Sequence, residues 1–194
     1  MRVLGIDPGL TRCGYGVLDA GTGRSASLVD VGVIRSEAGG AIDTRLLAIS
    51  RGLSEVVERH APDAVAIERV FAQNNLPTVM GTAQVTGVAI VIAAERGIPV
   101  ALHTPSEVKA AVTGSGRADK AQIQRVMMKV LGMSTLPQPA DAADALAIAL
   151  THLWRGRGSV RLDASGAART SAQSVWAEAE RAARRKRDRS NTVW

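Results

Sequence analysis

Four acidic residues stand where their carboxylates could act together on one substrate. Asp7 ends the first apolar run of the chain, directly before a Pro-Gly turn, and Glu68 ends the later run Ala-Val-Ala-Ile. Asp141 and Asp144 lie in the segment ADAADALAIA, where a spacing of three residues places both side chains on one face of a helix. Each acid alone has an ordinary structural interpretation, as a turn residue or as a charge in the first turn of a helix. Only their joint placement suggests a site.

Such a site would suit a particular chemistry. Acids at strand ends and at a helix start would meet at one edge of an α/β sheet. Crowded carboxylates repel one another by roughly several kcal/mol per close pair at an effective dielectric constant near 20. A hard divalent cation relieves that repulsion, and all-oxygen ligand sets select Mg²⁺ or Mn²⁺. Two such ions can activate a water molecule and stabilise the leaving oxygen of a phosphodiester.

The histidines do not fit this chemistry. His152 lies eleven residues after Asp141, which places it about 16 Å further along a helix axis, too far to share a metal ion. His60 and His103 stand alone in the sequence, which favours roles at a helix end or in the structure. The chain has no His/Cys ligand spacing, no Gly-x-Ser-x-Gly motif and no dinucleotide-binding fingerprint.

The elements that must position the acids follow from turn residues and hydrophobic periodicity. Three closely spaced β-like runs predict an antiparallel meander: Arg2–Asp7, Gly14–Asp19 and Ser27–Arg35. Two short strands, 64–68 and 99–103, alternate with helices predicted at Thr44–His60, Thr78–Arg96, Pro105–Val112, 119–132 and Ala140–Trp154. An antiparallel meander joined to parallel strands, with helices on both faces, is the ribonuclease H-like arrangement of an α/β protein.

Composition separates this predicted domain, residues 1–155, from a tail at 156–194. The chain has 194 residues, 46% of them hydrophobic, and a net charge of +6. The tail holds nine basic and four acidic side chains and little aliphatic periodicity, which predicts a basic, flexible appendage.

Several classes of protein are disfavoured. The single Cys13 cannot form a disulfide within the chain, which favours a reducing cytoplasm. Asp7 lies where a signal peptide would be apolar. The longest apolar stretch, near Val85–Ala94, is shorter than the roughly 20 residues that span a bilayer. We therefore expect a soluble, cytoplasmic protein that does not enter a membrane.

Four segments carry a family resemblance that covers about residues 1–155. GIDPGLTRCGYGV, AVAIERVFAQNN, TPSEVKAAVTGSGRADKAQIQ and ADAADALAIALTH resemble, in this order, the RuvC family of Holliday-junction resolvases. The resemblance implies a ribonuclease H-like homodimer that nicks strands of like polarity at a four-way DNA junction. It implies that the catalytic, metal-binding acids are Asp7, Glu68, Asp141 and Asp144. Two Mg²⁺ ions per site are expected, with Mn²⁺ as a substitute, and proteins of the RuvA and RuvB families as branch-migration partners.

Residues that would hold DNA can be considered from the sequence and from the resemblance. Phe71 reads from the sequence as a core residue or as an aromatic that stacks on an unpaired base, and the resemblance favours stacking. Lys109 and Lys120 flank a Gly-rich stretch, and they are either solvated lysines or phosphate ligands near a helix N-terminus. The resemblance implies that both contact DNA. Arg117 is a candidate on charge alone.

The helix predicted at Thr78–Arg96 carries small residues among Val and Ile, which allow close helix packing within the chain or between two chains. A four-way junction has two-fold symmetry, which a two-fold dimer would match. The resemblance implies dimerisation through this region.

Two other functions stay open. The segment GIDPGLTRCG also resembles the first phosphate loop of actin-like and sugar-kinase ATPases, although about 155 residues supply only one of their two domains. A catalytically silent junction-binding module would need no set of four acids.

Overall fold

A computed structural model describes residues 1–69, 76–135 and 137–155 of the chain. Five strands and five helices alternate along it. The strands are β1 (Arg2–Asp7), β2 (Arg12–Ala20), β3 (Ala26–Arg35), β4 (Ala64–Glu68) and β5 (Val100–His103). The helices are α1 (Ile42–His60), α2 (Leu76–Glu95), α3 (Pro105–Thr113), α4 (Lys120–Leu131) and α5 (Ala140–Arg155). Each element lies within a few residues of its predicted position.

The strands form one mixed sheet in the order β3-β2-β1-β4-β5. The first three strands are an antiparallel meander, while β1 pairs with β4 and β4 with β5 in parallel. This mixed sheet with helices on its two sides confirms the predicted ribonuclease H-like fold. In the register, Asp7 lies opposite Gly14, Ile6 opposite Ile67, and Glu68 opposite His103. The ends of β1, β4 and β5 therefore lie side by side.

Two hydrophobic clusters cover the sheet. In one, strand residues such as Leu4 and Ile67 pack with α1 and α2. In the other, Val3 and Leu18 pack with α3, α4 and α5. The α5 backbone lies directly on the hairpin of β1 and β2. The approach is so close that a Cβ atom at Gly5 or Gly14 would collide with the α5 backbone. Glycine is required at these positions for the close approach, and this contact fixes the start of α5 above the sheet edge.

Capping boxes fix the starts of α3 and α4. Asp119 accepts a hydrogen bond from the Gln122 N–H at 2.8 Å, and its own N–H donates to the Gln122 side chain at 3.0 Å, as predicted. Thr104 and Glu107 make the same reciprocal pair before α3. That second box is present in the sequence TPSE but was not predicted.

Helix α2 corrects one expectation from the sequence. Residues Thr78–Glu95 are long and apolar enough to cross a membrane, judged by length and composition alone, although the core helix of a soluble protein passes the same test. The apolar part of α2 therefore reaches the length of a membrane span, and the prediction that it is too short, made from Val85–Ala94, is wrong. One side of α2, including Val85 and Ala89, is buried in the core. Met80 and Val91 on the helix are more than half exposed, so part of an apolar helix faces outward.

Candidate active site

The predicted acids lie together at the edge where β1 and β4 end. Asp7 and Glu68 are the last residues of these neighbouring parallel strands. Asp141 and Asp144 lie in the first two turns of α5, which the close contact at Gly14 holds above the same edge. Each acid thus owes its place to a different backbone feature. The four carboxylates form what we call the acid cluster.

The acids are close enough to one another to shift the pKa values of Asp7 and Glu68. Burial, followed by the charges of Glu68, Asp144 and Asp141 in that order of importance, raises the pKa of Asp7 to about 7, against the opposing charge of Lys120. Burial, followed by the charge of Asp144, also raises the pKa of Glu68. The folded chain thus holds carboxylates where they resist ionisation, which is an arrangement typical of functional sites.

Two basic side chains compensate the outer acids. The Nε atom of Arg12 lies 2.9 Å from Oδ2 of Asp141, and Nζ of Lys120 lies 3.2 Å from Oδ2 of Asp144. Asp141 is 22% exposed and Asp144 47% exposed, so the first pair is the more enclosed. Arg12 was not predicted as a site residue, although it stands in the segment GIDPGLTRCG.

The donor set fits a hard divalent cation. All four side chains offer oxygen, and Oδ2 of Asp141 is buried without a hydrogen-bond partner in the described chain. An acceptor oxygen left in this state is costly unless a cation or donor satisfies it. Within the described ranges, no three Asp, Glu, His or Cys side chains are already close enough together to hold an ion. Binding would therefore draw the carboxylates inward and displace the cations that now hold the outer pair.

Two clefts flank the acid cluster. The lysine cleft, of about 300 Å³, lies between α3 and α4 and is lined by Glu68, Asp144, Lys109 and Lys120. The positive charge of Lys109 also lowers the pKa of Glu68, against the larger effects that raise it. The structure therefore places both predicted lysines beside two of the acids. Arg117 is exposed and does not line this cleft, and Phe71 lies outside the described residues.

The second cleft was not predicted from the sequence. The arginine cleft, of about 390 Å³, lies between the β1–β2 turn and α2, on the Asp141 side of the cluster. Arg12, Arg45 and the threonines Thr11, Thr78 and Thr82 line it. Its lining comes from four distant segments, so only the position of Arg12 beside a candidate catalytic turn could have hinted at it.

The histidines, which stand alone in the sequence, have structural partners in the fold. Nε2 of His60 lies 2.8 Å from Oδ2 of Asp30. The buried rings of His103 and His152 approach each other, with 3.3 Å between Nε2 and Nδ1. Burial, followed by the charge of His152, lowers the pKa of His103 to about 4. These are structural contacts, as predicted, although His103 ends the strand beside Glu68.

The mixed sheet and its acid-lined edge define the class of protein as a ribonuclease H-like nuclease. The family model of the crossover junction endodeoxyribonuclease RuvC matches residues 3–152. The chain belongs to this RuvC family, which confirms the resemblance seen in its sequence.

Curated relatives agree with this assignment. A crossover junction endodeoxyribonuclease RuvC from Nocardioides sp. is 60% identical over 165 residues, covering 85% of this chain and 93% of the relative. The protein of the same name from Parafrankia sp. is 61% identical over 170 residues, covering 88% and 96%. This chain thus matches nearly the whole length of each relative.

Solved structures give the same result. T. thermophilus RuvC in complex with a Holliday junction substrate has a TM-score of 0.76 and 35% identity, covering 80% of this chain and 94% of that one. The yeast mitochondrial Holliday junction resolvase Ydc2, at 14% identity and a TM-score of 0.55, shares the fold.

Proposed function

We propose that this protein resolves four-way DNA junctions during recombination and repair, by symmetric, metal-dependent hydrolysis of phosphodiester bonds. It is a member of a family of junction-resolving endonucleases, and a similar chain from T. thermophilus is described with a Holliday junction substrate. The acid cluster is the observation that carries the proposal, because four carboxylates meet at one sheet edge with the pKa of Asp7 raised to about 7.

The proposed catalytic residues and metal ligands are Asp7, Glu68, Asp141 and Asp144. Two Mg²⁺ ions per site, or Mn²⁺ in their place, would activate the attacking water and stabilise charge on the leaving oxygen. Asp7 must give up its proton before it can act as a ligand, because only the carboxylate form binds a hard cation well. Asp141 and Asp144 must exchange Arg12 and Lys120 for the ions.

The lysine cleft is the proposed path of the cleaved strand. Lys109 and Lys120 line it beside Glu68 and Asp144, so a phosphate held by the lysines would lie next to the ligands. Lys120 begins α4, whose first turn is capped by Asp119, so Lys120 contributes its side-chain charge to the cleft. We further propose that Arg117 adds a phosphate contact and that Phe71 stacks on an unpaired base at the crossover.

A homodimer is proposed to supply the second cut. The outward side of α2 exposes the apolar residues Met80 and Val91, which a second copy of this chain would cover. A two-fold dimer would present two acid clusters to the two symmetric strands of a junction. We propose the same face as the reason that α2 is apolar in a protein that does not enter a membrane, and the cytoplasm as the compartment in which it acts. Proteins of the RuvA and RuvB families are the proposed branch-migration partners.

Residues 1–155 are proposed to be the nuclease domain and residues 156–194 a basic, flexible tail that adds non-specific phosphate contacts. The tail lies outside the described residues, so its proposal rests on its charge.

Two alternatives are weaker. An ATPase of the actin-like or sugar-kinase type would need a second domain around the nucleotide, whereas the chain matches crossover junction endodeoxyribonucleases over most of their length. A silent junction-binding module would have no use for carboxylates held against their mutual repulsion.

The deciding experiment compares cleavage of a synthetic four-way junction and of a linear duplex of the same sequence in Mg²⁺. We expect paired, ligatable nicks in the junction and little cleavage of the duplex, with EDTA abolishing both. Equal cleavage of the two DNAs would contradict junction resolution, and binding without any cleavage would favour the silent module.

A further inference from the structure

The arginine cleft has no role in the function proposed so far, yet its chemistry suits an anion. It presents the guanidinium groups of Arg12 and Arg45 together with the hydroxyls of Thr11, Thr78 and Thr82. Asp141, on its border with the acid cluster, is the one carboxylate among its described lining residues. Guanidinium and hydroxyl donors gathered in one cleft match the acceptor oxygens of a phosphate.

The two arginines are held very differently. Arg45 donates to the Thr11 hydroxyl at 2.7 Å and to the Ser36 hydroxyl at 3.1 Å, so its guanidinium is fixed by neutral partners. No carboxylate of the described chain lies within ion-pair distance of it, which leaves its positive charge uncompensated. A guanidinium that is held in place and has no neighbouring carboxylate favours the binding of an anion.

Arg12 is held by charge alone. Its Nε atom is 2.9 Å from Oδ2 of Asp141, yet that oxygen accepts no hydrogen bond within the described residues. The pair is therefore close but poorly aligned, and the Arg12 side chain is half exposed. Such a contact is easily exchanged, since its charge attraction is not reinforced by hydrogen-bond geometry.

Asp141 is also a proposed ligand of the metal, so Arg12 and a divalent cation compete for the same carboxylate. We propose that Arg12 is a positioning residue that changes partners. Without metal it is the counter-ion of Asp141. When a divalent cation binds Asp141, Arg12 turns into the arginine cleft and, with Arg45, binds a phosphate of the DNA. The inference rests on the proposed function and adds a second phosphate contact, opposite the lysine cleft.

This exchange couples metal binding to DNA binding. A cation that frees Arg12 improves phosphate binding, and by thermodynamic reciprocity a phosphate that holds Arg12 in the cleft improves metal binding. Removing the Arg12 charge should then have two opposite effects. The metal loses a competitor and binds more tightly to the free protein, whereas the junction loses a contact and binds more weakly. A merely structural role for Arg12 would weaken both.

The test compares the full-length protein with Arg12→Gln and with the matched control Arg51→Gln. Arg51 is exposed on α1, so its substitution removes the same charge away from the cleft. Titration calorimetry with Mn²⁺ alone should give a dissociation constant about threefold lower for Arg12→Gln and unchanged for Arg51→Gln, as expected for loss of a partly exposed competing ion pair.

Junction affinity is then measured at fixed ionic strength with Ca²⁺ and with EDTA. We expect Ca²⁺ to tighten binding of the wild type by severalfold more than binding of Arg12→Gln, with Arg51→Gln behaving as the wild type. Unchanged Mn²⁺ affinity in Arg12→Gln, or an equal effect of Ca²⁺ in all three proteins, would overturn the exchange. Asp141→Asn separates the two proposals: if it binds Mn²⁺ as the wild type does, the metal site itself is wrongly assigned.

Discussion

Two groups of buried or half-buried titratable side chains lie at neighbouring strand ends, and the fold treats them in opposite ways. The acid cluster contains Asp7 and Glu68, and the histidine pair joins His103, opposite Glu68 in the register, to His152. Burial is the main cause of the pKa shift in each group, and together with neighbouring charges it brings the pKa of Asp7 to about 7 and that of His103 to about 4. Both shifts favour the neutral form.

The two groups differ in the charge that they carry at neutral pH. At neutral pH the histidines are uncharged and their rings contact each other. Asp7, with a pKa of about 7, is partly ionised at neutral pH, and its charge then meets the charges of the neighbouring acids, a repulsion that a bound cation relieves. Neighbouring strand ends thus hold a neutral structural contact and a group of acids whose charge is not balanced within the protein. We infer that an incomplete charge balance, rather than burial alone, distinguishes the functional group.

The largest expected effect is the loss of nicking when one acid of the acid cluster is replaced by its neutral amide. Asp7→Asn and Asp141→Asn should each lower junction nicking in Mg²⁺ by about a thousandfold or more, because a neutral amide cannot replace a carboxylate ligand. Junction affinity should not fall below that of the wild type, since no positive charge is lost. Gel-based cleavage and binding assays measure the two quantities. Activity within a few-fold of the wild type in either variant would remove that acid from the proposed site.

The histidine pair should make the protein less stable in acid. The unfolded chain protonates histidine near pH 6.5, whereas folded His103 stays neutral down to about pH 4. The unfolded state therefore binds more protons in this window, and stability is lost as the pH falls from 6.5 to 4. The loss should reach about 3 kcal/mol, at 1.36 kcal/mol per pKa unit.

Urea unfolding between pH 4.5 and 7 in EDTA measures that loss. In the double variant His103→Leu/His152→Leu, the part of the pH dependence due to the pair should disappear whatever the absolute stability. An unchanged slope in the double variant would show that other groups cause it.

The acid cluster should contribute a pH dependence of opposite sign. Folded Asp7 keeps its proton up to about pH 7, above the 3.8 of the unfolded chain, so the folded state binds more protons between these values. Stability of the metal-free protein is therefore lost as the pH rises through this window. Asp7→Asn should stabilise the metal-free protein at pH 7.5 by about 2 kcal/mol, a value reduced for the partial exposure of the side chain.

Chemical unfolding of wild type and Asp7→Asn in EDTA at pH 5 and pH 7.5 tests this. The stabilisation should be larger at pH 7.5, and saturating Mn²⁺ should reduce or reverse it by stabilising the wild type alone. A destabilised Asp7→Asn at pH 7.5 would mean that the acids are not in mutual repulsion.

The sequence predicted the acid cluster and the two lysines beside it, but not the contact with Arg12 or the neighbouring histidine pair, for a physical reason. Asp7 and Glu68 end apolar runs, and two acids three residues apart share a helix face, so local pattern was enough. The contacts of Arg12 with Asp141 and of His103 with His152 join segments far apart in the chain. Such pairs depend on how α5 lies on the sheet, which the glycine contacts at Gly5 and Gly14 determine.

The smallest effect expected is at the Lys120–Asp144 pair, which sharpens the comparison by showing what an exposed contact contributes. Both side chains are about half exposed, so Lys120→Gln should change stability by less than about 1 kcal/mol. Junction binding should respond more clearly. One lost phosphate contact reduces the slope of log affinity against log salt by about one. Affinities at several salt concentrations, with Lys129→Gln on the same helix as the charge-matched control, measure that slope. If Lys120→Gln and Lys129→Gln share the wild-type slope, Lys120 only balances the charge of Asp144, and the lysine cleft is not the path of the strand.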